Sequence, residues 1–249
     1  MATQDTSSES TSVEERLAKS AKLRIKEAID PYLDLQIEGF ERVDRLLHVA
    51  DQISKSGVRD ILEGPSEEDA SQDILRAAVV LIHAQLEEFL RTMARVFLPE
   101  AAEACLNEIP LAGLGGRKEK FLLGKLVQHK GKLVDDLLKE SVSEYLERSN
   151  YNSIEEISNL LQALGFNVTD HKGQFAAIQQ MIERRHQIVH RADRFESANS
   201  LAALQPIKSD DVSNWLHEIQ EFMQSLYVPI LRKLLPIDFK TSGEATTAK

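Results

Sequence analysis

Between about residue 12 and residue 234 the apolar residues of this chain recur at three- and four-residue spacing, and no useful stretch alternates with a period of two. A chain patterned in this way can bury its apolar faces only by packing helix on helix, so the expected fold class is all-α, a helical bundle. Ser12 and Glu15 form a capping box that opens a helix to about Ala28. Asp30-Pro31 reads as an N-cap followed by proline at the first helical position, which starts a second helix through Leu33, Ile37, Phe40, Val43, Leu47, Ala50 and Ile53. The stretch EGPSEEDAS, residues 63–71, breaks the pattern. The longest apolar helix follows and stops at Pro99, then an irregular stretch containing GLGG (113–116), which lacks the preceding strand and closing Gly-Lys-Ser/Thr of a phosphate loop.

Residues 117–148 are amphipathic, two helical pieces meeting near Gly131. Ser153 with Glu156 is a second capping box, its helix ending at Gly165. Phe175, Ile178, Ile182 and Val189 share one face of the next helix. Ser209-Asp210 opens a last one through Leu234, with a bend expected at Pro229. The resulting organisation is a polar, disordered tail (1–10), an N-terminal helical pair (11–62), a main helical domain (72–235) and a second tail (240–249). At 249 residues the chain can bury a core without cross-links. The single cysteine, Cys105, fits a reducing, cytoplasmic setting. The N-terminus has no basic start with an apolar run behind it, and no eighteen-residue apolar segment occurs, so neither a signal peptide nor a membrane partner is expected.

The formal net charge is −10, but it is unevenly placed, residues 27–73 being strongly acidic and the remainder close to neutral with basic clusters. The densest cluster is IERRHQIVHRADR, residues 182–194, with four arginines and two histidines. Arg185 and His190 are five apart, ~140° around a helix, so they are not neighbours on one face. They converge if a second copy of the helix crosses alongside or if the helix ends near His190. His186 and His190, four apart, do share a face. The core stripe runs through Ile182 and Val189, which puts His190 at its edge. The i, i+4 histidines also have the spacing of a helix-borne zinc pair. Gln187 stands where a zinc protease has its glutamate, however, and a third ligand would have to come from His171, Asp193 or His217, with nothing in the spacing to select one.

Arg185, four residues and His190 resemble the Arg-x4–6-His signature of HEPN domains, all-α bundles many of whose members are RNases. The helix VVLIHAQLEEFLRTM, with Leu86 and Glu87 at its middle, resembles that family's first core helix. YLERSNYNSIEEISNLLQALG resembles the inserted helices of the RiboL-PSP-associated HEPN group, and the likeness covers about residues 72–235. The resemblance implies a homodimer whose two signature helices meet in a composite site. In it Arg185 binds phosphate, His190 is the acid or base, and His186 orients substrate or neighbouring side chains. Glu87 and Arg184 are implied as orienting groups, and Arg191 and Arg194 as contacts to RNA. Lys125 and Lys130 belong to the basic stretch 116–132, which reads as a solvated amphipathic helix face before it reads as a contact to RNA phosphates.

Cleavage of RNA through its own 2′-hydroxyl needs a base, an acid and a fixed cation. Histidine and arginine supply these near neutral pH, without a metal or other cofactor. The resemblance thus implies an endoribonuclease of the toxin, antiviral or stress-response kind, held by an antitoxin or sensor protein. The alternative is a non-catalytic module of the same fold that docks a protein partner or nucleotide. In a bland reading Arg185 pairs with Glu87 and His190 is a core histidine. His83 is expected to be a bonded core histidine, Trp215, Phe222 and Met223 lie at core spacing, and Cys105 has no activating histidine within its helix.

Overall fold

A computed structural model of the chain describes residues 7–56, 67–113, 123–195 and 203–234. The expected tails therefore lie largely outside the described residues, as do most of GLGG and the bases Arg117, Lys118 and Lys120. The α-helices are α1 (Ser7–Ser56), α2 (Glu67–Phe97), α3 (Glu103–Leu106), α4 (Val134–Glu147), α5 (Ile154–Ala163), α6 (Phe175–Arg191) and α7 (Ser209–Leu234). The described residues contain no strand, only an isolated antiparallel bridge between Arg194 and Leu204. The architecture is all-α, as the periodicity requires.

The N-terminal pair is corrected to one helix, because α1 begins at Ser7, upstream of the Ser12–Glu15 box, and runs without a break through Pro31. A proline inside a helix costs about 3 kcal/mol through its missing N–H and its ring. Burying an aliphatic side chain returns about 1.5–3 kcal/mol, and Ile29, Val43 and Ala50 are all buried along this helix. Tertiary burial thus outweighs the local stop signal.

Those three residues belong to the same continuous core as the rest of the bundle, with α2 at its centre. Ala78, Val79, Ile82, Leu86 and Leu90 of α2 are wholly buried. Their cover comes from α1, α6 and α7, with α4 at the far end. From α7 come Val212, Trp215, Leu216, Ile219, Phe222, Met223 and Leu226, at the spacing read from sequence, and the helix continues past Pro229.

Two local signals have the effect they encode. Ser153 Oγ accepts the Glu156 N–H at 3.2 Å while Glu156 Oε2 accepts the Asn152 N–H at 2.7 Å, which satisfies orphan donors at the start of α5. At its end Gly165 adopts φ 80°. Phe166 N–H donates to Leu161 O at 2.8 Å and Gly165 N–H to Gln162 O at 3.0 Å, the paired bonds of a Schellman turn. The amphipathic stretch before α5 does divide near Gly131, which sits at φ 84°, but its first piece is a 3-10 helix, Leu123–His129.

Candidate active site at the end of helix α6

Helix α6 enters the bundle with Ile178, Met181 and Ile182 buried against α2 and α7. Phe175 meets Phe222 edge-on, ring centres 6.2 Å apart. One turn beyond Ile182 the same face carries Arg185, half-buried, and one turn further Val189, 47% exposed. Val189, expected in the core stripe, is thus a correction. The stripe continues to the end of the helix, but the chain's own bundle stops short of covering it. His186 and His190 flank Val189 on the surface, their ring centres 4.6 Å apart and tilted by 43°. The core-histidine reading of His190 is therefore overturned.

Arg185 has no hydrogen-bond or ion-pair partner among the described residues, and its Nε is buried without one. The pairing with Glu87 considered from sequence is absent. Glu87 instead lies 3.8 Å from both Arg91 Nη2 and His83 Nδ1, and its Oε1 accepts the Tyr151 N–H at 3.4 Å. His83, 1% exposed, is the bonded core histidine expected, hydrogen-bonded to the Tyr151 backbone, while its Nε2 stays without a partner. Burial holds its pKa below the ordinary value. The Glu87 charge opposes that shift, and the Arg185 and Arg91 charges add to it. Arg185 thus lies close enough to His83 of α2 for its charge to act on that imidazole.

Arg184, expected as an orienting group, is bound into a buried ionic cluster. Its Nη2 donates to Asp193 Oδ2 at 2.8 Å and to the carbonyls of Gln205 at 2.9 Å and Pro206 at 3.2 Å, and its Nη1 to Gln205 Oε1 at 3.0 Å. Arg76 of α2 reaches the same Asp193 oxygen through Nε at 2.6 Å and the Gln205 carbonyl through Nη2 at 2.8 Å. Asp193 is 1% exposed, so two guanidinium groups enclose one buried carboxylate. Burial pulls the Arg184 pKa below its ordinary value, with Asp193 opposing and Arg76 reinforcing that shift. Removing one member of such a buried group costs about 3–5 kcal/mol, because the others keep their charge without a partner.

Asp193 also ends the helix. Ala192 and Asp193 stand at φ 48° and 55°, the non-glycine residues at positive φ among those described. Each costs about 1–3 kcal/mol and persists only where its surroundings over-determine it. Here the Asp193 N–H donates to Gln187 O at 3.1 Å, the Asp193 carbonyl accepts the Gln205 N–H at 2.8 Å, and the Phe195 N–H donates to Ala203 O at 3.1 Å. Sequence reading had Asp193 only as a third metal ligand. The signal that could have found it is a lone acid directly after an arginine-rich helix end.

The remaining candidates are dispersed. Arg191 and Arg194 are exposed on the turn, each with an intramolecular partner. Lys125 and Lys130 are exposed on and just after the 3-10 segment before α4, which belongs to a different part of the chain. Of the three ligands considered for a zinc pair, Asp193 is enclosed by arginines and His171 Nδ1 is bonded to Ser225 Oγ at 2.8 Å in the α7 interface. No cluster of three or more metal-ligating side chains occurs among the described residues. A groove of about 340 Å³ runs beside His186, lined by Asn152, Gln179, Ile182, Glu183, Gln187 and Arg191. A larger pocket of about 790 Å³, among α3, α4 and α5, holds Cys105 and Tyr151 but none of the α6 cluster. No described helix is long and apolar enough to cross a membrane.

A family model described as RiboL-PSP-HEPN matches residues 40–228. No curated protein and no solved structure matches the chain.

Proposed function

The chain belongs to the RiboL-PSP-HEPN family, and from that premise we propose that it is a metal-independent endoribonuclease whose site is completed by a second copy of itself. The observation that carries this reading is the end of α6, where an unpartnered arginine, two exposed histidines and an uncovered apolar residue share less than two turns of helix. Within one chain Arg185 faces α2 and His190 faces outward, so a single copy holds half of a cleft. A second α6 crossing at Val189 covers the apolar residue and brings two arginines and two histidines to one place.

The chemistry then follows from the side chains. The neutral imidazole of one His190 takes the proton of the RNA 2′-hydroxyl, whose oxygen attacks the adjacent phosphorus. The protonated His190 of the partner subunit gives its proton to the departing 5′-oxygen. Arg185 grips the non-bridging oxygens through paired N–H bonds as charge builds on them. One P–O bond forms and one breaks, leaving a 2′,3′-cyclic phosphate and a 5′-hydroxyl. His186 orients the neighbouring ring, and the groove beside it has room for a flanking nucleotide. An effector role in defence or stress, under an antitoxin or sensor protein, fits such an activity.

The test is incubation with mixed RNA in EDTA, beside His190→Ala and Arg185→Ala. Wild-type cleavage leaving cyclic or 3′-phosphate ends, reduced at least ~100-fold in both variants, is expected. Equal cleavage by all three proteins assigns the activity elsewhere. If no protein cleaves, a docking module of the same fold becomes the better reading.

A further inference from the structure

We propose that Asp193 is the positioning residue of the α6 site: its contacts with Arg76 and Arg184 hold the left-handed turn that ends the helix and thereby set the stance of His190. The inference rests on the proposed function only for its catalytic consequence.

Three observations converge on it. The turn begins two residues after His190, and its strained dihedrals at Ala192 and Asp193 need an outside restraint. The restraint is the carboxylate, which joins α6 through Arg184 to α2 through Arg76. Both arginines also grip the carbonyl of Gln205, so the chain on the far side of residues 196–202 is bound to the same point. Together these contacts determine where α6 stops. His190 lies on the last turn, exposed, with its ring beside that of His186. Its position is therefore inherited from the turn that follows it. A displacement of about 1 Å at a reacting group is enough to cost ~100-fold in rate.

The Asp193 carboxylate binds Arg76 and Arg184 rather than either histidine, and this distinguishes its part from that of Arg185. A side chain that merely stabilised the bundle would weaken every part of it alike. A positioning residue has a local effect.

The experiment compares wild type with Asp193→Asn, which keeps the shape but places an amide against two guanidinium groups, and Asp193→Glu, which restores the charge. Amide hydrogen exchange and the imidazole resonances of His186 and His190 are read by NMR well below the melting temperature, and cleavage by kcat and KM. For Asp193→Asn we expect exchange at residues 188–192 to quicken at least ~10-fold while core amides of α2 and α7 stay within ~2-fold, and the His190 signal to shift. We expect kcat to fall ~10–100-fold with KM nearly unchanged. Asp193→Glu should recover part of each change. Should Asp193→Asn fail to fold, Arg184→Lys and Arg76→Lys, each leaving one arginine on the carboxylate, replace it with the same readouts. A uniform rise in exchange with unaltered His190 resonances and kcat would overturn the proposal. If wild type cleaves no RNA, the proposed function fails, while exchange and the His190 signal still decide the role of Asp193.

Discussion

His83 and His171 lie buried on either side of α6, one toward α2 and the other under α7, and both are held below their ordinary pKa chiefly by burial. Glu87 pulls His83 upward while Arg185 and Arg91 press it down, and Asp170 pulls His171 upward. In the unfolded chain each titrates near 6.5. As the pH falls through that value the unfolded chain therefore binds protons that the folded one refuses, and stability drops. Above it the contribution is complete. We expect urea denaturation to show a loss of at most ~1.4 kcal/mol per pH unit for each histidine below pH ~6.5. His83→Gln should make that slope shallower. Arg185→Ala should act in the same direction, because it removes one of the charges that depress His83. Parallel slopes in wild type and both variants would contradict this account of the α2–α6 boundary.

Among the elements, α1 is where a local rule and the fold disagree, so Pro31 offers the sharpest test. Pro31→Ala restores an N–H and removes the ring inside a continuous helix, and should stabilise the protein by about 1–3 kcal/mol in denaturant melts. A loss of stability would mean that the helix needs its proline. What could be read beforehand divides along the same line. Ser153, Glu156 and Gly165 act on backbone groups within a few residues, and both ends of α5 were legible. The core face of α7 was legible because its period is regular and its cover complete. Pro31 misled because the burial of Ile29 and Val43 against α2 is invisible to a rule about neighbours. Val189 misled because periodicity tells which face a residue is on, not where the bundle ends. Arg184 was out of reach, since its partners become adjacent only once residues 192 and 193 turn left-handed. The pair Arg185 and His190 could be picked out from its spacing, and so could the ~140° between them; which of the two the bundle partly covers could not.

For the molecule as a whole, the proposed two-copy site predicts self-association through the end of α6, at the exposed Val189. Light scattering after gel filtration should find a dimer, and Val189→Glu should give a monomer of unchanged helical content that has lost RNA cleavage. A wild-type chain that stays monomeric at tens of micromolar, with and without RNA, would exclude the shared cleft. A site divided between two copies also has a kinetic consequence. Well below the dissociation constant, active dimers scale with the square of the protein concentration, so halving the number of molecules quarters the activity. Basal leakage from a gene for such a chain would do little harm, while a burst of synthesis would pass abruptly into effect. The uncovered valine would then act as a dose threshold, setting how much protein a cell can hold before the enzyme switches itself on.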